Sequence, residues 1–344
     1  MSASTRSTLL DHIDRIEVVS IPLRTRFRGI DVREAALLHG PAGWAEFSPF
    51  VEYGIEESSA WLNAALEAAA DPYPPTRRTQ IPINATIPVV SPERAHALAS
   101  EYGARTAKVK VADSAASHAE DQARLEAVRD ALGPGGAIRV DANMAWSVEE
   151  AAAKIRDLDR AAGGLEYVEQ PCATVEELAA VRRMVRVPIA ADESVRRASD
   201  PLAVARAGAA DVLVMKVQPL GGVRAVLALS EEAGLPVVIS SALETSVGLS
   251  LGLACAAALE KLPHACGLGT ARLLTGDVTA HPLVSADGTL PTGRVEVSEH
   301  LLEVHQASEG IQQAWRSRIA ECASFLERRG DPLDRAVREK DHLG

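Results

Sequence analysis

Five ionisable side chains recur at near-regular intervals through the middle of this chain, each near the end of a short apolar run. Lys110, Asp141, Glu169, Asp192 and Lys216 stand 31, 28, 23 and 24 residues apart. One strand, one helix and two turns fill such an interval, so each of these residues starts a new βα unit. The strings TAKVKV, AIRVDAN, LEYVEQP, VPIAADES and DVLVMKV put the ionisable group at or near the strand's C-terminal end. In a parallel barrel that end is the active face.

Eight strand candidates follow the same rhythm: 83–87, 106–111, 137–141, 165–169, 188–192, 212–216, 236–240 and 264–268. Helical patterns separate them at 91–102, 117–132, 147–162 and 174–185, the third opened by Ser147 with Glu150 three residues on as a capping box. Eight strands with crossover helices imply a closed α/β barrel. The first part of the chain has a different texture. Strands are expected at 15–23 and 34–39, then the strand and loop PAGWAEFSPF, then an Ala/Leu-patterned helix over 56–70, which together make an α+β unit. The proline-dense stretch DPYPPTRRTQIP separates the two textures, because such segments rarely continue a helix or a central strand. The expected division is therefore 1–80, 81–274 and 275–344. In the last part, 281–297 is polar and turn-rich, 310–329 is helical, and the charged tail either lies in solvent or returns to the first unit.

A length of 344 residues exceeds one ordinary domain, and 47% hydrophobic content with only 3% aromatic favours the Ala, Val and Leu packing of helix-covered parallel sheets. A net charge of −11 argues against a nucleic-acid partner. Cys172, Cys255, Cys266 and Cys322 form no CxxC pair and read as reduced thiols of a cytoplasmic protein, which makes zinc an unlikely guest. The opening MSASTRSTLLDHIDRIEVVSIPL has charges where a signal peptide needs an apolar run. The most apolar stretch, Val247 to Leu259, is too short to span a bilayer and reads as a buried helix, so no membrane partner is expected. None of this fixes an oligomeric state.

Asp141, Glu169 and Asp192 would project from three consecutive strands toward one point. Three carboxylates with room for water and a substrate oxygen suit Mg²⁺, and such hard donors also accept Mn²⁺. A single acid at a strand end is more often a helix cap or a loop ion pair; three in register are not. Lys108 and Lys110 are two apart on a strand and share a face. Alone, a Lys-x-Lys pair usually marks an exposed edge strand. Beside three acids, the least-paired lysine can drop from about 10.4 to about 7–8, roughly 4 kcal/mol of differential interaction, and so become a usable base. Lys216, at the end of an apolar run four strands further round a ring of eight, would face Lys110 across the barrel. Taken by itself it could equally extend into solvent.

The set TAKVKV, VDANMAW, VEQP, ADES and MKVQPLGG resembles the enolase superfamily, in its muconate-lactonizing subgroup, over nearly the whole chain. The resemblance implies a (β/α)7β barrel under a capping domain that the N-terminal part forms with the C-terminal segment. It implies one essential Mg²⁺ on Asp141, Glu169 and Asp192, Lys110 as catalytic base with Lys108 as its helper, and Lys216 on the opposite face. Asn143 and Glu193 match polar neighbours of the metal site. SSALETSVGL and HACGLGT resemble the o-succinylbenzoate-forming branch of actinobacterial type, a step of menaquinone synthesis, and imply that Ser240, Ser241 and Gly267 hold the substrate's succinyl part. Taken as bare residues, the serines are helix caps and the glycine is turn geometry. RFRGI, containing Arg28, resembles the mobile loop that covers the pocket.

The implied reaction is syn-dehydration of a small-molecule carboxylate, 2-succinyl-6-hydroxy-2,4-cyclohexadiene-1-carboxylate. Racemisation of N-succinylamino acids or epimerisation of dipeptides uses the same constellation. Racemising relatives of the succinylamino-acid type carry an arginine three residues after the second lysine, where this chain has Pro219. A metal-binding barrel without catalysis has no reason to keep lysines beside the acids, since unpaired buried cations destabilise a fold. A Schiff-base aldolase needs one lysine in an apolar pocket and no acid trio.

Overall fold

A computed structural model describes residues 9–196 and 200–329; the charged tail that follows lies outside the described residues. The chain opens with an antiparallel meander of β1 (Arg15–Phe27), β2 (Ile30–Gly40) and β3 (Gly43–Phe47). Pairing runs from Arg15 opposite His39 to Pro22 opposite Val32, breaks, and resumes at Phe27 opposite Ile30, so the hairpin tip at Arg28 and Gly29 projects beyond the regular ladder. Helix α1 (Ile55–Ala70) packs its Trp61, Leu62, Ala65 and Ala69 face into the core beside this sheet.

The barrel follows. Strands β5 (Ala85–Ile87), β6 (Thr106–Lys110), β7 (Ala137–Asp141), β8 (Tyr167–Glu169), β9 (Ile189–Ala191), β10 (Val212–Met215) and β11 (Val237–Ile239) form one sheet in chain order, each pair parallel. Helices α2 (Pro92–Glu101), α3 (His118–Leu132), α4 (Val148–Ala161) and α5 (Val175–Met184) begin where Ser91, Ser117, Ser147 and Thr174 accept a backbone N–H from the first turn. In the last three a glutamate at the third position bonds back to the cap, so the sequence signal seen at Ser147 recurs at Ser117 and Thr174. Two short helices, α6 (Glu193–Arg196) and α7 (Ala203–Arg206), lead to β10. Beyond it lie α8 (Val223–Ala233) and α9 (Ser246–Ala258), whose first twelve residues are all buried, as expected of the apolar run.

The eighth stave differs from expectation. No regular strand forms over 264–268; instead Cys266 bridges Ile83 and Gly267 bridges Ser240, both parallel, and these two residues close the ring between β5 and β11. Proline at 263 brings no N–H to the ladder. Gly267 lets the staves approach where a Cβ would come within 2.5 Å of the Ser240 hydroxyl. A second difference lies in the turn-rich stretch 281–297. It contains β12 (Thr289–Pro291), antiparallel to β4 (Gln80–Pro82). Leu290 and Ile81 are the buried centres of two three-residue strands, too short for an alternation to be read from sequence.

Helices α10 (Glu299–Val304) and α11 (Glu309–Arg329) end the described chain, and α11 returns to the first unit. Trp315 meets Phe47 edge-on at 5.7 Å and donates to Glu34, and the Arg318 guanidinium donates to the Phe50 and Tyr53 carbonyls. Inside the barrel Tyr167, Ala190, Val212, Val214 and Val238 fill one apolar layer. Toward the C-terminal ends of β6, β7 and β8, and one residue past β9 and β10, the inward positions are Lys108, Lys110, Asp141, Glu169, Asp192 and Lys216. Strand alternation alone dictates that placement.

Candidate active site

The C-terminal ends of the strands open into a cavity of about 750 Å³, and eleven of the twelve side chains singled out in the sequence line it: Lys108, Lys110, Asp141, Asn143, Asp192, Glu193, Lys216, Ser240, Ser241, Gly267 and, from the hairpin above, Arg28. The twelfth, Glu169, joins them through Lys108, whose ammonium donates to it at 2.8 Å. The lysines divide the acids between them. Lys108 also donates to Asp141 at 3.1 Å, Lys110 to Asp141 at 2.5 Å and to Asn143 Oδ1 at 2.6 Å, and Lys216 to Asp192. Asp141, Glu169 and Asp192 are all at most 2% exposed.

Burial opposes every one of these charges, and the neighbours decide the outcome. Burial alone would push the Asp141 carboxyl up, but Lys110 and Lys108 hold it well below the usual carboxylate range. For Asp192, burial is likewise outweighed, by Lys216 and Arg196, and its value falls to about 2. Glu169 goes the other way: burial, and then the charge on Asp141, push it up to about 7 despite Lys108. Lys108 resists its burial because Glu169 and Asp141 face it, and stands well above the ordinary lysine value. Lys216 is lowered by burial, which Asp192 only partly offsets.

Among the described residues no three acidic, histidine or cysteine side chains close into a ready-made cation cage, because the ammonium groups stand on the carboxylate oxygens. The donor set nevertheless fits a hard divalent ion. Three buried carboxylates crowd one floor, Glu169 is destabilised as an anion by its neighbours, and its Oε2 is buried with no hydrogen-bond partner, as is Glu193 Oε2.

Several contributors are not among the residues singled out in the sequence. Arg196, on the first turn after Asp192, donates to Asp192 at 3.0 Å and Glu193 at 2.7 Å, and to the Tyr53 hydroxyl at 3.1 Å. The same hydroxyl accepts Arg28 at 2.6 Å, and Arg28 lies 4.0 Å over the Phe50 ring, so the hairpin tip and the barrel meet on Tyr53. Gln170 accepts the N–H groups of Asp192 and Ser194 on its side-chain oxygen, fixing the turn that aims Asp192. Arg124 of α3 donates to the Lys110 carbonyl at 3.3 Å and holds the end of β6.

Backbone strain gathers here too. Among the described residues the non-glycine positions with positive φ are Arg28, Ala112, Asn143, Met144, Gln170 and Leu243. Five line the cavity and the sixth carries Asp192. Such conformations each cost on the order of 1–3 kcal/mol and persist where the surroundings enforce them. At Gly267 the constraint is contact rather than φ. Gly267→Ala is expected to push Ser240 out of its present position at a stability cost of about 1–3 kcal/mol. A crystal structure of that variant with Ser240 unmoved would contradict the packing described.

The Enolase C-terminal domain-like family profile matches residues 91–294, and the Enolase N-terminal domain-like profile matches 18–69. The o-succinylbenzoate synthase of Thermobifida fusca (strain YX) is 58% identical over 308 residues, covering 90% of this chain and 96% of that protein. The o-succinylbenzoate synthase of Mycobacterium ulcerans (strain Agy99) is 52% identical, covering 94% and 98%. Among solved structures, the dipeptide epimerase from Enterococcus faecalis V583 complexed with Mg and dipeptide L-Leu-L-Tyr superposes with a TM-score of 0.69 at 22% identity, covering 82% of this chain and 97% of that one. With a ring of parallel strands under an antiparallel cap and this set of ionisable residues at the ring's mouth, the chain belongs to the enolase superfamily and, within it, to the o-succinylbenzoate synthases.

Proposed function

We propose that this chain dehydrates 2-succinyl-6-hydroxy-2,4-cyclohexadiene-1-carboxylate to o-succinylbenzoate, with Lys110 as base and Lys216 opposite it. The observation that carries the reading is the convergence of Asp141, Asp192 and three lysines on one cavity, with buried Glu169 tied in through Lys108, in a chain 58% identical to an o-succinylbenzoate synthase. Asp141, Glu169 and Asp192 would hold Mg²⁺, or Mn²⁺ in its place. When bound, the ion supplies positive charge beside the substrate's carboxylate and so makes the adjacent C–H more acidic.

The side chains do the rest. Lys110 is the most open of the three lysines, 20% exposed against 11% for Lys108 and 10% for Lys216, so a substrate reaches it first. As the free amine it takes the proton α to the carboxylate, and negative charge spreads into the carboxylate as an enediolate. Lys216, fixed by Asp192, holds its ammonium opposite and balances that charge. Lys110, now protonated, returns its proton to the departing hydroxide on the same face, and water leaves as the ring becomes aromatic. Lys108, bridging Asp141 and Glu169, offsets part of the negative charge of the floor on which Lys110 stands. Asn143 accepts from Lys110 and orients it, and Ser240 and Ser241 face the succinyl arm.

The test is the ultraviolet absorbance of an aromatic product formed from the cyclohexadiene acid, with and without EDTA. Product is expected only while a divalent cation is present. Rapid solvent-deuterium exchange into N-succinylamino acids with no aromatic product would overturn the assignment in favour of racemisation.

A further inference from the structure

A buried polar network outside the acid–lysine floor joins the cap's sheet to the turn between β11 and α9. Arg33 of β2, 3% exposed, donates to the carbonyls of Leu243 at 3.0 Å and Ala242 at 3.2 Å, and also to that of Ser48. Glu46 of β3, 2% exposed, accepts the backbone N–H of Thr245 at 3.1 Å and of Gly248 at 3.0 Å, and the Thr245 hydroxyl at 2.5 Å. A carboxylate from another part of the chain therefore caps the first turn of α9. Gly248 leaves room for two glutamates: a Cβ there would lie 2.6 Å from the Glu244 side chain and 3.0 Å from Glu46 Oε2. Gln218, two residues after Lys216, accepts the Ser48 N–H at 3.2 Å and ties the same cap strand to the end of β10.

The turn so held contains Ser240 and Ser241 at its start and Leu243 at φ +68°. A left-handed leucine does not hold itself; its carbonyl is fixed by Arg33 and the N–H of Ala242 by Glu244 at 2.6 Å. Ser241 is further fixed by Thr270 at 2.8 Å.

We infer that Arg33 and Glu46 are positioning residues for the reaction: without touching substrate, they set the β11–α9 turn so that Ser240 and Ser241 meet the substrate's succinyl arm. This rests on the dehydration reading above. The cap then shapes the pocket from behind through its strands, in addition to covering it with the Arg28 hairpin.

Glu46→Gln and Arg33→Lys test the idea, with Arg78→Lys as comparison. Arg78 donates to the Ala256 and Leu259 carbonyls at the far end of α9, so its variant loosens the same helix without reaching the turn. Burial and then Glu244 push the Glu46 carboxyl up to about 7, so the neutral, isosteric glutamine is a mild change that the fold tolerates. Its amide accepts on one side only, so either the Ser48 hydroxyl or the helix N–H groups lose an acceptor. In Glu46→Gln and Arg33→Lys, KM for the cyclohexadiene acid and the calorimetric Kd for o-succinylbenzoate are expected to rise about tenfold, with kcat within about threefold of the unmodified enzyme. Arg78→Lys should lower the thermal midpoint and leave KM and Kd unchanged. If Arg33→Lys yields no folded protein, Glu46→Gln decides alone. An unmodified enzyme that turns over normally, beside a Glu46→Gln variant with unchanged KM and Kd, overturns this inference only. No aromatic product from the unmodified enzyme overturns the dehydration reading and this inference together.

Discussion

Lys110→Ala is expected to lose at least about 10⁴-fold in kcat while the folded enzyme still takes up Mg²⁺. A positioned general base is worth about 10²–10⁴-fold, and Lys110 is assigned both the proton removal and its return, so the loss falls at the upper end or beyond. The fold survives for a reason visible in the contacts. Asp141 keeps Lys108 at 3.1 Å when Lys110 is gone, so no acid of the floor is stripped of its counter-charge. Asn143 loses one partner but is also bonded to Asp141 and Glu193. Calorimetric Mg²⁺ titration of the variant, run beside the ultraviolet assay, separates lost chemistry from lost cation binding. Turnover within tenfold of the unmodified enzyme would remove Lys110 from the mechanism.

Asp192→Asn should cost both stability and activity. Asp192 is 2% exposed and faces two buried cations, Lys216 and Arg196. An amide there leaves two largely buried positive charges close together, and breaking a buried pair in this way costs about 3–5 kcal/mol. Lys216 is already lowered by its burial, so without Asp192 it is the group that sheds its proton. The cation opposite Lys110 then vanishes, and turnover with it. Thermal unfolding with and without Mg²⁺ reads both effects. The unmodified enzyme should gain stability as the free ion exceeds its Kd, and Asp192→Asn should show a lower midpoint and little gain. An unchanged midpoint with an intact Mg²⁺ response would mean that Asp192 neither pairs nor ligates as described.

The acids and lysines were legible because three periodicities coincide on them. The βα interval puts each at a strand end, strand alternation turns each inward, and the parallel order brings all the ends to one face. Tyr53, Arg33 and Glu46 were not legible because each acts across a large gap in sequence. Tyr53 meets Arg196 from 143 residues away, and Glu46 caps a helix about 200 residues further on. Nothing in VEYG or AEFS announces that. The eighth stave and the β4–β12 pair were blurred for a different reason: two or three residues are too few to show a period. The pattern of 310–329 is helical, and the resemblance implies that the C-terminal segment joins the first unit; Trp315 and Arg318 make the contacts between them.

The left-handed backbone of Arg28, Ala112, Asn143, Met144, Gln170 and Leu243 has a consequence for anyone breeding a hardier version of this enzyme. A library screened only for survival at high temperature will find easy gains at these places, because glycine adopts positive φ at little cost and relieves the local tension. Those winners will lose the side chains that shape the mouth of the barrel. Heat tolerance and turnover will therefore trade against each other at these six sites, while helix surfaces such as α3 and α4 can be hardened with no such penalty.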